Sequence, residues 1–290
     1  MKSRAGKYFL ILLAVIFWGS SFIAVKIALR ELAPTTIVLF RLIIAVIFLA
    51  SISFYTKQDF SLNIKNHGSI FFLALISVFH LWIQVKALEF TTASASGWIV
   101  GTAPIFIALL GAIFFKEKLT IFKVTGILLA MLGLMLLITN GNLLSINLIK
   151  NKGDLMMLSS AFIWGVYSIA NKKIALSYPP LMMIFYLFLM MAIMITPFTI
   201  NGAALESIQN LSLNGWAAVL FLGLLCSGAA YVIWASALRD MDSAKVGAFL
   251  YLEPLFTVFA AWAILNEQIT LLMLLSGMII LLGIYLVNRG

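Results

Sequence analysis

The chain has 290 residues, of which 63% are hydrophobic and only 10% are charged, and its mean hydropathy is +1.12. That composition excludes a water-soluble globular protein, whose surface would need far more charge. The net charge of +9 is spread over short segments and is not gathered on one basic face, which argues against a nucleic-acid partner. The sequence therefore predicts a protein embedded in membrane lipid.

A bilayer core about 30 Å thick is crossed by about 20 apolar residues in a helix. Ten stretches of this kind follow one another, and the prolines Pro179 and Pro180 and the polar stretch Asn201–Asn214 trim the two longest. We predict an all-α polytopic membrane protein with ten transmembrane helices, placed in Tyr8–Val25, Thr35–Tyr55, Gly68–Val85, Phe90–Phe115, Val124–Ile149, Leu155–Asn171, Ile174–Leu205, Ser207–Leu238, Val246–Asn266 and Gln268–Asn288.

The basic residues predict the orientation of these helices. Lys2, Arg4 and Lys7 precede an apolar run too long for a signal peptide, with no cleavage pattern before Lys26, so the first helix is expected to remain. With the N-terminus inside, 13 of the 19 lysines and arginines fall on the inner side and 5 on the outer, while Arg41 lies within a span. The positive-inside rule thus places both termini in the cytoplasm.

The second half of the chain repeats the first. At an offset of 146, FWGSSFIAVKIALRELAP aligns with IWGVYSIANKKIALSYPP, which pairs Trp18 with Trp164 and Gly19 with Gly165. At an offset of 150, the later part of each half aligns, with the pairs Gly97–Gly247, Pro104–Pro254, Phe106–Phe256, Glu117–Glu267, Thr120–Thr270 and Gly133–Gly283. Each repeat holds five predicted helices, and an odd number makes the second repeat enter the membrane from the opposite side. Inverted repeats are typical of secondary transporters that work by alternating access.

These motifs resemble the EamA family of the drug/metabolite transporter superfamily over essentially the whole chain. The similarity lies in FWGSSF, in FRLIIA, in ALEFTTASASGWIVGTAPIFIALLGAIFFKEKLT and in ALRDMDSAKVGAFLYLEPLFTVFAAWAILNEQIT, in that order. The resemblance implies two inverted five-helix EamA repeats, at residues 7–139 and 153–288, cytoplasmic termini and a central cavity between the repeats. It also implies export of amino acids or other small metabolites, although some relatives import.

Glu253 and Pro254 stand in the middle of the ninth predicted helix. A charge at the bilayer centre costs roughly 2.5 to 3.5 kcal/mol on insertion scales, so Glu253 is expected to face the protein interior. It is interpreted either as a group that exchanges a proton or pairs with a substrate amine, or as a fixed tie to a neighbouring helix. Pro104 and Pro254 each remove a backbone donor and predict helix bends toward the interior, with simple packing kinks as the alternative.

Arg41 lies less than two turns beyond Thr35, and the favoured interpretation is that its side chain extends outward to the interface. The alternative is that it holds a substrate carboxylate. Lys26, Lys86 and Lys172 end their helices and are interpreted as interface anchors. The glutamates Glu117 and Glu267, at equivalent repeat positions, are expected to cap the helix that follows each of them.

Helical spacing groups the remaining candidates for a substrate cavity, since residues three or four apart share a face. Five helices carry polar or amphipathic side chains in this way, the usual composition of a small-molecule site. These are Trp18 with Ser21, His80 with Gln84, Trp98 with Thr102, Trp164 with Tyr167 and Asn171, and Tyr231 with Trp234. A single Trp or Tyr is more often a core or interface residue, so the group carries the prediction and not its members.

No phosphate-binding loop is present, which excludes an ATP-driven pump acting alone. The two histidines and the single cysteine, Cys226, lack metal-ligand spacing, so no metal and no cofactor are expected, and an enzyme is disfavoured. The remaining candidates are a secondary carrier in the cytoplasmic membrane, a passive channel and a non-transporting binding protein, with import of a metabolite such as S-adenosylmethionine as an alternative direction. The expected partners are a small-molecule substrate, membrane lipid and, for a coupled carrier, protons. The sequence does not distinguish a monomer from a homo-oligomer.

Overall fold

The computed structural model describes residues 4–60, 67–139, 149, 151–176, 178–200, 202–257, 259 and 271–290. These residues form helices joined by short turns, and none of them lies in a strand. The all-helical class predicted from the composition is therefore the class observed.

The first half of the chain contains six helices in the described residues. The first three are long and are separated by short connections, and the fourth and fifth follow each other with only two residues between them. They are α1 (Arg4–Ala28), α2 (Pro34–Tyr55), α3 (His67–Ala87), α4 (Ala93–Val100), α5 (Ala103–Phe115) and α6 (Ile121–Thr139).

The second half is more irregular. Its α-helices are α7 (Lys152–Ala175), α8 (Pro180–Ile195), α9 (Gly202–Gln209), α10 (Leu213–Phe221), α11 (Ala230–Asp240), α12 (Ser243–Gly247) and α13 (Leu271–Arg289). A π-helical segment, Leu222–Ala229, joins α10 to α11 without a break, and a 3-10 segment, Ala248–Leu252, follows α12. Helical backbone then continues through residues 253–257.

Eight helical stretches of the described chain are long and apolar enough to cross a membrane. Their outward faces expose large apolar side chains such as Phe54, Phe114 and Leu213, which suits contact with lipid. The predicted fifth span corresponds to α6, whose apolar part, Ile121–Leu136, is shorter. The predicted ninth span lies partly outside the described residues, so ten crossings remain a prediction.

Local sequence signals explain where several helices begin. Pro34 and Pro180 stand in the first turn of α2 and α8, where a proline loses no hydrogen bond. The Thr92 hydroxyl accepts a hydrogen bond from the Ala95 amide at 3.0 Å and caps α4. The short helix α9 was not predicted, because its polar stretch has the composition of a loop.

The two prolines predicted to bend helices lie next to departures from α-helical geometry. Pro104 is buried in the first turn of α5, directly after the two-residue turn Gly101–Thr102 that separates α4 from α5. Pro254 is buried directly after the 3-10 segment and Glu253. Each proline therefore accompanies a change in the path of the backbone, although the predicted direction of bending stays a prediction.

Two glycines bring helices of opposite halves into close contact. A Cβ atom added at Gly19 in α1 would lie 2.9 Å from the carbonyl oxygen of Glu253 and 3.1 Å from Cβ of Phe256. One added at Gly165 in α7 would lie 2.8 Å from Cβ of Phe106 in α5. Because the sequence pairs Gly19 with Gly165 and Phe256 with Phe106, each contact is the counterpart of the other with the halves exchanged.

Helices α6 and α13 pack along each other, and their glycine contacts also correspond when the two halves are exchanged. A Cβ added at Gly133 of α6 would lie 2.9 Å from Cγ1 of Ile280, and one added at Gly283 of α13 would lie 2.6 Å from the amide nitrogen of Ala130. The spacing of 150 residues relates Gly133 to Gly283 and Ala130 to Ile280. This helix pair therefore joins the two halves away from the cavity described next.

Candidate substrate cavity

A narrow cavity of about 30 Å³ lies inside the bundle, where helices of both halves meet. Its wall combines aromatic side chains with a small number of polar and charged ones, the composition usual for a small-molecule site. The lining residues are Trp18, Ser21, Phe22, Arg41, His80, Gln84, Val100, Ala161, Trp164, Tyr231 and Glu253.

Three aromatic rings form one wall of this cavity. The ring centroids of Trp18 and Trp164 are 5.1 Å apart, and Tyr231 lies 5.7 Å from the first and 5.5 Å from the second, in edge-to-face arrangements. The indole nitrogen of Trp18 donates a hydrogen bond to the carbonyl oxygen of Cys226 at 2.9 Å. Edge-to-face contacts of this kind hold the rings in fixed orientations, so the wall is preorganised.

Arg41 lies inside the protein, and the interpretation that its side chain reaches the interface was wrong. The residue is 3% exposed, and its Nε donates a hydrogen bond to the Ser227 hydroxyl at 2.9 Å. The side chain turns inward because α2 packs with this face against the π-helical segment that carries Ser227. Sequence position alone gave the depth of Arg41 in its helix but not the face on which it lies.

The π-helical segment explains how Ser227 and Cys226 reach the site. A π-helix adds a residue to the turn and commonly occurs at functional sites. Gly223 and Gly228 of this segment have no side chain, and α2 lies so close that added Cβ atoms would fall 2.6 Å from Ile44 and 2.5 Å from Phe48. The segment therefore presents both a hydroxyl to Arg41 and a carbonyl to the Trp18 indole.

Glu253 is as deeply buried as Arg41, with 3% of its surface exposed, and it lines the same cavity. Within the described part of the chain, neither side chain has an oppositely charged group at ion-pair distance. The site thus combines a buried guanidinium and a buried carboxyl group, and neither forms an ion pair with a described side chain. Such an arrangement is costly for the protein alone and favourable for a ligand that carries both charges.

His80 and Gln84 extend the polar part of the lining from α3. Nδ1 of His80 lies 3.1 Å from both the carbonyl oxygen and the hydroxyl of Ser160, and its ring centroid is 5.1 Å from that of Trp164. These contacts connect α3 with α7 and fix the imidazole plane. The other ring nitrogen is not engaged by Ser160, so His80 can present it to a ligand.

Five sequence candidates lie beside the cavity and not in its lining. Tyr167 stacks on Trp164 at 4.9 Å and accepts a hydrogen bond from the Asn171 amide at 2.6 Å. Trp234 packs behind Trp18 at 5.3 Å and donates to the Ser168 hydroxyl. The remaining two are Trp98, which packs against the core, and Thr102, whose hydroxyl donates to the carbonyl of Ile99.

Sequence reasoning missed the apolar lining residues Phe22, Val100 and Ala161. Phe22 is four residues after Trp18 and Ala161 is three before Trp164, so helical spacing was the signal that could have found them. The described residues contain no group of three or more His, Cys, Asp or Glu side chains suited to a metal ion.

Charged groups meet at the end of the bundle that carries the start of α1 and the end of α13. Lys7 pairs with Asp240 at 2.7 Å, Lys123 with Asp242 at 2.8 Å, and Lys172 with Glu117 at 2.6 Å. Each pair joins the first half of the chain to the second. Lys172 is therefore a buried partner of an acid and not an interface anchor, which corrects the sequence interpretation.

The other predicted anchors also have specific partners. Lys26 donates a hydrogen bond to the carbonyl oxygen of Leu88, and Lys86 pairs with Glu89. Glu117 was expected to cap α6, the helix that follows it, but its carboxylate accepts hydrogen bonds from Ser243 at the start of α12. Its repeat partner Glu267 lies outside the described residues.

Eight apolar helical stretches of membrane-crossing length around a polar cavity define a multi-pass membrane protein. The chain belongs to the EamA-like transporter family, whose model matches residues 6–139 and 151–289. It is thus a membrane transporter by family, in agreement with the resemblance seen in its motifs.

Two curated relatives match over nearly their whole length. An "Uncharacterized transporter" of Archaeoglobus fulgidus is 31% identical over 96% of this chain and 96% of its own. A "Probable amino-acid metabolite efflux pump" of Salmonella typhimurium is 25% identical over 96% and 93%. A solved structure described as "Crystal structure of protein" has a TM-score of 0.78 at 18% identity and covers 99% of this chain and 98% of that one, which shows the fold alone.

Proposed function

We propose that this protein is a secondary carrier that exports small zwitterionic metabolites of the amino-acid type across the cytoplasmic membrane. The observation that carries the proposal is that Arg41 and Glu253, a buried base and a buried acid, line one cavity without an ion-pair partner among the described residues. In this arrangement the guanidinium binds the substrate carboxylate and the Glu253 carboxylate binds its ammonium group. The aromatic wall then contacts the apolar part of the substrate.

The energetics of buried charge favour this binding mode. A charged side chain at the centre of a bilayer costs roughly 2.5 to 3.5 kcal/mol on insertion scales, so two such charges need a compensating function. A ligand with a single charge neutralises only one of them. A zwitterion neutralises both, which makes the doubly charged amino-acid backbone the best match for the site.

The relation between the halves supports transport by alternating access. The family model matches the chain twice, and the contact made by Gly19 corresponds to the contact made by Gly165 when the two halves are exchanged. On this proposal, residues 7–139 and 153–288 are inverted five-helix repeats, and the cavity lies near their pseudo-twofold axis. Trp18 and Trp164, which are equivalent in the repeats, touch each other and fit that position.

The proposed direction of transport and the proposed orientation in the membrane rest on two observations. The printed name of the Salmonella typhimurium relative describes efflux, and the distribution of basic residues favours cytoplasmic termini. Proton coupling is a second feature of the proposal, since the Glu253 carboxylate is available to exchange a proton when no substrate amine occupies the site. Its test is the pH dependence of transport by Glu253→Gln.

The binding mode is tested with three probes: an amino acid that is a zwitterion, its N-acetyl derivative, which lacks the positive charge, and its methyl ester, which lacks the negative charge. Binding to purified protein is measured by thermal shift and calorimetry for the wild type, Arg41→Gln and Glu253→Gln. Lys86→Gln, which changes a charge away from the cavity, is the matched control.

The expected result has a crossed pattern. Each cavity variant weakens zwitterion binding by about tenfold or more, because one buried charge loses its partner. Binding of the N-acetyl derivative depends on Arg41 and not on Glu253, and binding of the methyl ester shows the reverse. Unchanged zwitterion affinity in both cavity variants would refute the proposed binding mode.

A further inference from the structure

The side chain of Glu117 connects the two halves at one end of the bundle. Its carboxylate accepts hydrogen bonds from the Ser243 amide, at 3.0 Å to Oε1 and 2.9 Å to Oε2, and from the Ser243 hydroxyl at 2.9 Å. Lys172 donates to Oε1 at 2.6 Å. Glu117 follows α5 in the first half, whereas Lys172 and Ser243 belong to the second, so this carboxylate joins three separate segments.

The backbone at Glu117 is shaped for this role. Lys116, directly before it, ends α5 in the left-handed conformation with φ 53°, which turns the chain back toward the bundle. Gly111 lies six residues before Glu117, where an added Cβ would fall 3.0 Å from Oε2 of Glu117 and 3.0 Å from Cβ of Ser243. A glycine at this position leaves the space in which the two side chains meet.

Lys172 completes the contact from α7. Besides Glu117, its ammonium group donates to the carbonyl oxygen of Met241 at 2.9 Å and lies 5.1 Å from the ring centroid of Phe115. The side chains of Lys172 and Glu117 are 10% and 8% exposed. We call the contact among Glu117, Lys172 and Ser243 the latch, and its burial distinguishes it from the more exposed pair of Lys7 with Asp240.

A row of buried side chains, called the path below, runs along α7 from the cavity to the latch. Along α7, Trp164 lines the cavity, Ser168 and Asn171 follow one and two turns later, and Lys172 comes next. The side-chain oxygen of Asn171 is buried without a hydrogen-bond partner, and so is the hydroxyl of Tyr251, in the 3-10 segment between α12 and Glu253. Buried polar atoms of this kind are costly when closed off and gain hydrogen bonds when water enters.

We propose that the latch is the gate of the substrate cavity on the side that carries the N-terminus. The three groups separate when the cavity opens to that side and close again when it opens to the other. Glu117 is the acceptor for both segments of the second half, so loss of its charge releases α7 and α12 together. This inference rests on the proposed carrier function, since a gate has a role only where the cavity opens alternately.

The test measures access to the path and uses no substrate. Ser168→Cys is placed in a Cys226→Ala background, so that the buried path carries the only thiol. An impermeant thiol reagent is added to sealed vesicles from the side that carries Lys7. Labelling rates are compared for the intact latch, for Glu117→Gln, for Lys172→Gln and for the double variant. Lys86→Gln, which breaks a half-buried pair within the first half, is the matched control.

We expect each latch variant to raise the labelling rate about tenfold or more, because breaking a buried, hydrogen-bonded pair shifts the equilibrium strongly from the closed gate to the open gate. The double variant should label little faster than either single variant, and the control should remain within about twofold. Unchanged labelling in both single variants overturns the gate. Melting temperatures of the glutamine variants show which of them fold. If Glu117→Gln does not fold, the labelling rate of Lys172→Gln tests the gate.

The result separates the gate from the function on which it rests. Faster labelling combined with no binding of any charged probe supports the gate and rejects the proposed substrate class. Normal binding combined with unchanged labelling keeps the substrate site and rejects the gate. Faster labelling from the opposite side only would also reject it, since the latch would then not close the path on its own side.

Discussion

Replacing Gly19 by alanine tests the close contact between α1 and the segment that carries Glu253. The added Cβ would lie 2.9 Å from the backbone oxygen of Glu253 and 3.1 Å from Cβ of Phe256, about half an ångström inside ordinary contact. Because one neighbour is backbone, the helices themselves must move apart. Overpacking lowers the free energy of unfolding by about 1–3 kcal/mol. The higher helix propensity of alanine offsets up to about 1 kcal/mol of this loss.

The expected net loss for Gly19→Ala is about 1–2 kcal/mol, which lowers the apparent melting temperature in detergent by about 2–5 °C. Gly165→Ala should show a loss of similar size, because its Cβ would lie 2.8 Å from Cβ of Phe106. Gly68→Ala is the matched control, since nothing lies within 4 Å of its added Cβ. If Gly19→Ala melts at or above the temperature of Gly68→Ala, the close packing is refuted.

Three further predictions concern single side chains. The pKa of Asp242 is raised by burial, but the hydrogen bond and charge of Lys123 outweigh this and hold it below the ordinary value of 3.8. The ionised Asp242 carboxylate therefore stabilises the folded protein fully above about pH 3.8, and this stabilisation is lost as the pH falls below that value and the carboxylate is protonated. Asp242→Asn should make the melting temperature less dependent on pH between pH 5 and pH 3. At pH 7 it should lower the free energy of unfolding by at most about 1 kcal/mol, since the Asp242 side chain is 46% exposed. Tyr251→Phe removes a buried hydroxyl without a described partner and should leave thermal stability unchanged or raise it by up to about 1–2 kcal/mol, and a clear loss would contradict the structure. Trp18→Phe removes the hydrogen bond to the Cys226 carbonyl and should lower the melting temperature and weaken zwitterion binding together, whereas an effect on neither would exclude Trp18 from the cavity wall.

The sequence was most informative about the membrane helices and the residues that share a helical face. Hydropathy and length locate each apolar stretch, and spacings of three or four residues bring Trp18 with Ser21 and His80 with Gln84 into one lining. Glu253 was expected to face the interior because of its charge, and it does. These features depend on local pattern, which a sequence carries directly.

Features that depend on contacts between distant segments could not be predicted in this way. Arg41 faces inward because Ser227, 186 residues later, lies on a π-helical turn that no sequence pattern marked. Glu117 caps α12 and not its own following helix, because the fold brings Ser243 to it from the other half. In both cases the partner decides the role of the side chain, and only the folded chain identifies the partner.

The halves share a framework but not their charges. Gly19 and Gly165 make equivalent packing contacts, whereas Arg41 and Glu253 have no charged counterpart at the aligned positions, which hold Leu187 and Ala103. The two halves thus share packing contacts around the cavity, whereas the charged groups come from positions that the halves do not share. This division fits a carrier in which the repeats exchange conformations while one set of groups binds the substrate.

Counterflow in liposomes tests the carrier proposal most directly. Purified protein is reconstituted into vesicles loaded with an unlabelled amino acid, and uptake of the labelled compound is followed from outside. The proposal predicts transient, saturable accumulation that Arg41→Gln and Glu253→Gln each reduce by about tenfold or more. Uptake that rises linearly with concentration and shows no counterflow would indicate a channel and contradict the proposal, as would the absence of flux for every zwitterion tested with folded protein.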